Sequence, residues 1–324
     1  MKKIQITEFG DSSVLKLCEV DIPTPGDDQV VVKVAGAGVN FLDIYQRGGA
    51  GIYGLTLPYT PGVEGAGVVE QVGAKVEHIK PGDRVAWAMA LGSYAQYALL
   101  PAEKVAKVPE GIDLTIAAAS ALQGTTAHYL VNSTYPIKPG DVALVHAAAG
   151  GTGNLLCQMI LEKGGKVIAT TSTDSKEKII RETGVEDVIR YDSQGVAEEV
   201  KRITGGKGVD VVYDGVGAAT FDDSLASLKP RSMMVLFGAA SGPVPPFDLQ
   251  RLNASGSLFI TRPTLGHYLA NRAELEERMS AIFTSIAKGK LSIRIGAQYA
   301  LADAAKAHDD LAGRGTVGKL LLIP

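Results

Sequence analysis

Residues 142–158 read VALVHAAAGGTGNLLCQ: a short apolar run, a turn of small residues, then a helical pattern. Gly150, Gly151 and Gly153 make the turn, with Thr152 between the last two. Small residues let a backbone approach a pyrophosphate, and the first turn of the following helix presents free N–H groups to the anion. The full G-x-G-x-x-G spacing is not met, because a larger residue fills the third glycine position. A glycine-rich turn by itself also fits an ordinary loop. The strand before it, the helix after it and the strand–helix units beyond it favour a dinucleotide.

The end of the second strand selects between dinucleotides. Sites that prefer NAD place an acid there, on the ribose 2′-hydroxyl. Here the strand ends Ala169-Thr170-Thr171-Ser172-Thr173, with Ser175 and Lys176 close behind. Short hydroxyl donors and a point positive charge suit a 2′-phosphate, so the cofactor expected is NADPH. Asp174 reads as a helix N-cap, with Glu177 three residues on completing a capping box. Lys176 also fits a solvated helix face. Tyr191, ending the third strand, fits either the adenine–ribose end or a half-buried core position.

Metal chemistry lacks ligands. The chain has two cysteines, Cys18 and Cys157, far apart in sequence, and five histidines without paired spacing: His78, His128, His146, His267 and His308. A zinc site needs convergent thiolates or imidazoles. Two cysteines allow one disulfide, but so distant a pair reads better as reduced core thiols in the cytoplasm. A net charge of −3 leaves no basic footprint for nucleic acid. The start, MKKIQITEFGD, lacks the apolar run of a signal peptide, and no apolar stretch reaches the length of a membrane span.

The elements that must hold these residues follow from texture. With 324 residues and 46% hydrophobic residues, two domains with buried cores are expected. The first third is β-rich, with short strands at Val30–Val34, Gly67–Val72 and Ser93–Leu100, and with Lys80–Val85 as a turn opening into a strand. Residues 114–131 are Ala-rich and helix-compatible. Strands then fall at Val142–Ala147, Lys166–Ser172, Asp187–Tyr191, Val209–Asp214, Met233–Phe237 and Ser257–Ile260. Helices fit at Asn154–Lys163, Lys176–Thr183, Val196–Thr204 and Phe221–Leu228. Such alternation builds a parallel sheet covered by helices, and six strands suit a doubly wound α/β dinucleotide domain. Two helices, Ala273–Lys288 and Ala302–Ala312, and a strand, Lys319–Ile323, close the chain. We expect a first domain of 1–125 completed by 265–324, a second of 126–264, and a ligand cleft at their junction.

Seven segments in order carry a family resemblance: GVNFLDIYQRGG (38–49), LPYTPGVEGAGVVEQVG (57–73), KPGDRV (80–85), HAAAGGTGNLLCQ (146–158), VVYDGVG (211–217), SLFITRPTL (257–265) and GKLLLIP (318–324). Together they resemble the quinone oxidoreductase, or zeta-crystallin-like, branch of the medium-chain dehydrogenase/reductase superfamily. The resemblance implies a GroES-like β domain and a Rossmann domain. It places Asn40 and the segment Phe41, Leu42, Asp43, Ile44 and Tyr45 near the nicotinamide, with Tyr129. It puts Gly151 and Thr152 on the pyrophosphate. It puts Ser172, Thr173, Asp174, Ser175, Lys176 and Tyr191 on the adenosine phosphate end. Val216, Gly238, Ala239, Ala240, Ser241, Pro263, Thr264, Leu265 and Arg314 complete the implied cofactor contacts.

Alcohol-dehydrogenase relatives hold zinc through a cysteine and a histidine in the first two of these motifs. Here Asn40 stands in one slot and Val63 in the other, beside a retained Glu64. Without a Lewis acid to stabilise an alkoxide, the expected reaction is reduction of an electron-poor acceptor by NADPH, with a quinone leading. Asn40, Tyr45, Tyr53 and Tyr59 are the candidate groups to orient the acceptor oxygen. A 2-alkenal or enone reductase of the same fold is the alternative. A cofactor-binding protein without turnover, serving as sensor, structural protein or RNA accessory, is a further one. The edge position of Ser257–Ile260 suggests a homodimer.

Overall fold

The computed structural model describes residues 1–49 and 53–324. The chain divides into two compact units, Met1–Thr125 with Leu269–Pro324, and Thr126–Tyr268.

The first unit opens with an antiparallel ribbon of β1 (Lys2–Gln5) and β2 (Lys16–Glu19). The β-branched run at Val30 belongs to a longer strand, β3 (Gln29–Val39), followed directly by a short helix, α1 (Phe41–Arg47). Then come β4 (Glu64–Val72), β5 (Arg84–Ala88), β6 (Tyr97–Pro101), β7 (Val105–Lys107) and the helix α2 (Leu114–Tyr129). The expected strand at Ser93 begins only at Tyr97. Before it, the ring of Tyr94 is fully buried in the core with Trp87 and Leu100.

The second unit carries the alternation read from sequence: β8 (Val142–Val145), α3 (Gly151–Glu162), β9 (Lys166–Thr171), α4 (Asp174–Arg181), β10 (Asp187–Arg190), α5 (Val196–Ile203), β11 (Val209–Asp214), α6 (Phe221–Ser227), β12 (Leu228–Leu236), α7 (Gln250–Ala254) and β13 (Phe259–Thr261). All pairings are parallel, in the order β10-β9-β8-β11-β12-β13. This is the Rossmann order, with its reversal between β8 and β11. Leu144, Ile168, Ile189, Val212 and Met234 line one core, while Val145, Ala169, Val211 and Val235 are also buried. Burial of both faces explains why these strands read as apolar runs. Each large side chain buried in this way contributes about 1.5–3 kcal/mol. Strand β8 stops two residues before the predicted end, because Ala147 has left-handed backbone (φ 51°).

The chain returns through α8 (Arg272–Ala287), β14 (Ile295–Ala300), α9 (Ala304–Ala312) and β15 (Lys319–Ile323). A 3-10 turn over Leu301–Asp303 takes the first residues of the helix expected from Ala302. Strand β15 pairs parallel with β14 and antiparallel with β3, so the last residues complete the sheet β14-β15-β3-β4-β5-β7, with β6 on β3. Its residues Leu320 and Leu322 join the core around Trp87. The result is a mixed α/β molecule with a Rossmann sheet and a second, largely antiparallel β unit.

Candidate functional site

The glycine turn lies at the topological reversal of the parallel sheet, directly after β8. Gly150 donates its backbone N–H to the Ala147 carbonyl at 2.9 Å and then serves as N-cap of α3. It has no side chain to satisfy the next N–H groups, and the first turn of α3 has no acid. Those donors, with the positive end of the helix dipole, suit an anion. A Cβ on Gly153 would sit 2.5 Å from the Ala147 carbonyl oxygen and 2.9 Å from Ala148 Cα. The helix can therefore approach the turn only with glycine there. This bare, donor-rich cradle fits a pyrophosphate.

At the end of β9, Thr173 caps α4, its Oγ1 accepting from Lys176 N at 3.3 Å. The expectation that Asp174 is the N-cap is thus corrected by one residue: Asp174 is the first helical residue, and its carboxylate pairs with Arg190 instead. Arg190, which sequence reasoning missed, ends β10. It also donates to the Ser172 carbonyl at 3.2 Å and to Asp192 at 2.8 and 3.0 Å. The acid nearest the strand end is therefore already held by a guanidinium, while Ser172, Thr173, Ser175 and Lys176 cluster in the loop and first turn. Tyr191 is 52% exposed, so it is not a core tyrosine.

Two further turns, after β11 and β12, are tied together. Gly238 N donates to Asp214 O, Ala240 N to Gly215 O and Ser241 N to Val216 O, while Ser241 Oγ also donates to Val216 O. The carboxylate of Asp214 organises this region. It accepts from Val216 N, Gly217 N, Thr220 Oγ1 and Ser224 Oγ, all between 2.7 and 3.0 Å. Ser224 spends its only hydrogen on Asp214, so His146 Nε2 donates to Ser224 Oγ at 3.0 Å. His146 Nδ1 then accepts from Thr170 Oγ1 at 3.1 Å. Burial lowers the His146 pKa and keeps this ring neutral. His146 thereby braces the strand before the glycine turn against β9 and α6. Asp214 in VVYDGVG was visible in the sequence, but its partners are distant in the chain. Elsewhere in this unit Tyr129 is buried and stacks on Tyr268 at 4.2 Å. Pro263 and Leu265 are buried, with Thr264 exposed between them.

In the first unit a buried polar cluster surrounds Asn40. Its Oδ1 accepts from Lys319 Nζ at 2.6 Å, and its Nδ2 donates to Glu64 Oε2 at 3.0 Å and to Gly38 O at 3.3 Å. Lys319 Nζ also forms a salt bridge with Glu64, and neither side chain is more than 1% exposed. Both amide hydrogens of Asn40 are therefore committed inside the protein. The expectation that Asn40 donates to an acceptor oxygen meets that competing demand. Lys319 was not singled out from sequence, because nothing in GKLLLIP separates a buried lysine from a solvated one.

A second chain of groups runs from the same helix start. Asp43 Oδ2 accepts from Asn40 N at 2.9 Å and from Tyr94 OH at 3.0 Å. Arg47 Nη1 lies 3.2 Å from His308 Nδ1, and His308 Nε2 lies 3.0 Å from Tyr94 OH. Arginine only donates. Hence Nδ1 accepts, Nε2 carries the proton, and the bonds run Arg47 to His308 to Tyr94 to Asp43. Burial raises Asp43 to about 7, and burial, with Arg47 beside it, lowers His308 to about 3. A histidine with a depressed folded pKa contributes stability above its unfolded pKa and loses it as pH falls. His308→Gln preserves an acceptor and a donor but cannot charge. Relative to the parent, it should gain roughly 2–3 kcal/mol between pH 6.5 and 4.5. Urea unfolding at the two pH values measures this, and parallel stability curves for the two proteins would reject it.

Of the tyrosine candidates, Tyr45 lies in α1 with its ring 6.2 Å from that of Phe41, and Tyr53 is half-buried. Desolvation, with Asp43 nearby, pushes Tyr59 up to about 12, so its hydroxyl stays protonated at neutral pH and keeps a hydrogen to donate. Arg314, with left-handed backbone (φ 58°), lies in the segment returning to β15. The two cysteines are free thiols.

With this geometry in hand, residues 26–110 match the alcohol dehydrogenase GroES-like domain family and residues 151–284 the zinc-binding dehydrogenase family. The chain is similar to a probable quinone oxidoreductase of Schizosaccharomyces pombe, at 43% identity over 99% of this chain and 96% of that one. It is similar to a 2-haloacrylate reductase of a Burkholderia species, at 42% identity over 94% of each chain. Among solved structures it resembles Escherichia coli quinone oxidoreductase complexed with NADPH, with a TM-score of 0.97 and 41% identity over both full chains. The zinc in the second family's description does not suit this chain. Among the described residues no three His, Cys, Asp or Glu side chains gather as a metal site. Asn40 and Glu64 already surround the Lys319 ammonium, which repels a second cation. Ordered motifs, sheet order and full-length similarity agree, and the chain belongs to the quinone oxidoreductase branch of the medium-chain dehydrogenase/reductase superfamily.

Proposed function

We propose that this chain is an NADPH-dependent quinone oxidoreductase that works without a metal. The observation that carries the reading is the second unit's glycine cradle, joined at the end of β9 to hydroxyls and a lysine rather than a free acid. Bound NADPH supplies a hydride to an acceptor whose added charge delocalises onto oxygen. Gly151, Thr152 and Gly153 hold the pyrophosphate through backbone N–H groups, while Gly150, its own N–H bonded to Ala147, makes the turn that lets the phosphate approach. Ser172, Thr173, Ser175 and Lys176 hold the 2′-phosphate, with Tyr191 and Arg314 at the adenosine end. The braced turns at Val216 and Gly238–Ser241, with Pro263–Leu265 and Tyr129, orient the nicotinamide half. The segment Phe41–Tyr45 borders the reacting ring, and Tyr45, Tyr53 or Tyr59 presents a hydroxyl to the acceptor oxygen. Positioning supplies much of the rate in such a site.

The test follows loss of NADPH absorbance with 1,4-benzoquinone, a naphthoquinone and a 2-alkenal side by side. Faster turnover of the quinones is expected. Preference for the alkenal would favour the enone-reductase reading, which the likeness to a haloacrylate reductase supports. Tight NADPH binding without turnover would favour a non-catalytic role. In calorimetry, Lys176→Ala should weaken NADPH by about 10- to 100-fold, the worth of a charge-assisted bond, and leave NADH unchanged. Equal losses for both would remove Lys176 from the 2′-phosphate.

Free thiols at Cys18 and Cys157 support a cytoplasmic setting. No helix among the described residues is long and apolar enough to cross a membrane. The edge strand β13, with Phe259 exposed, supports a homodimer. Sedimentation as a monomer across working concentrations would reject it.

A further inference from the structure

A lysine ammonium and a carboxylate buried together need an explanation beyond stability. Desolvating each ion costs several kcal/mol, and apolar side chains of similar volume often serve stability as well or better. Lys319 and Glu64 do something that apolar residues cannot. Lys319 Nζ donates to Asn40 Oδ1 at 2.6 Å, which fixes the direction of the carboxamide. Glu64 Oε2 then receives Asn40 Nδ2, while Glu64 Oε1 receives the backbone N–H of Leu122 in α2 at 2.6 Å. Space is reserved for the pair by Gly38, where any Cβ would collide with Glu64 Oε2 and Lys319 Cε. Five elements therefore meet at one salt bridge: the end of β3, the cap of α1, the start of β4, the middle of α2 and the start of β15.

We infer that Lys319 is the resident cation around which this chain sets the start of α1, and that it is a positioning residue for Asn40 and the Phe41–Tyr45 segment. The consequence for turnover rests on the function proposed above, which puts Phe41–Tyr45 at the nicotinamide; the consequence for α1 does not.

The variants are Lys319→Met and Lys319→Met/Glu64→Gln. The second removes both charges at nearly constant volume, so it answers the question where the first fails to fold. Three quantities are read against the parent: amide exchange of residues 41–47 without cofactor, NADPH affinity by calorimetry, and quinone turnover at saturating NADPH. In the folded double variant, exchange of α1 should accelerate about tenfold as its cap loosens. NADPH affinity should hold within about threefold while kcat falls about 10- to 100-fold, the cost of a misplaced reacting geometry. A pair that only fills the core would not split kcat from affinity in this way. Unchanged α1 exchange and unchanged turnover in the double variant overturn the inference. So does a double variant that cannot fold, because the pair is then a requirement of the fold rather than of α1. A parent that turns over no quinone sinks the proposed function instead, and the exchange measurement still decides the role of Lys319.

Discussion

Gly153→Ala is expected to weaken NADPH binding by about 10- to 100-fold, the equivalent of the 1–3 kcal/mol that overpacking costs. The new methyl would meet the Ala147 carbonyl oxygen at 2.5 Å and Ala148 Cα at 2.9 Å. Both are backbone atoms, so no side-chain rotation relieves the clash. Either the turn after β8 or the start of α3 must move, and these two pieces form the anion cradle. Alanine's better helix propensity, about 1 kcal/mol over glycine, offsets part of the loss in overall stability but cannot restore the geometry. Gly150→Ala is the contrast. Its Cβ meets only the Ala147 carbonyl, at 3.2 Å, and its backbone is extended (φ −73°). A loss of less than about threefold is expected there. Calorimetric titration of both variants with NADPH decides. Equal affinities for Gly153→Ala and the parent would mean that the glycine turn does not hold the nucleotide.

The features legible in the sequence are those encoded within a few neighbouring residues. The run VALVHAAAGGTG carries strand, turn and helix start in one stretch. The strands of the parallel sheet, buried on both faces, announce themselves as apolar runs such as Val209–Asp214, whose bounds agree with β11. Boundaries slipped where a local conformation overrode the pattern, as at left-handed Ala147. Asp174 misled because Thr173, one residue earlier, is an equally good cap and is the one that reaches Lys176 N. The helix α1 escaped because seven residues give too few turns for an apolar period. The buried polar clusters escaped for another reason. Lys319 and Asn40 are 279 positions apart, His308 and Arg47 are 261 apart, and His146 and Ser224 are 78 apart. No spacing rule links such residues. Only the return of β15 to the edge of β3 brings Lys319 against Asn40.

That return also sets the largest stability effect expected for this chain. Glu64→Ala leaves the Lys319 ammonium 1% exposed with only Asn40 Oδ1 as acceptor, and it removes the carboxylate that accepts from the Leu122 N–H. Removing one member of a buried ion pair costs about 3–5 kcal/mol, because the remaining charge stays desolvated. Glu64→Gln should cost less, since its amide oxygen can still accept from Leu122 N. If the loss comes from the stranded ammonium, Lys319→Met should recover most of it in the Glu64→Ala background. It would do so by an interaction energy of about 2–3 kcal/mol in a double-mutant cycle. Urea unfolding of the four proteins at pH 7 supplies the cycle. Additive losses would mean that the two side chains do not stabilise one another. The start of α1 would then owe its geometry to the Asp43 cap alone.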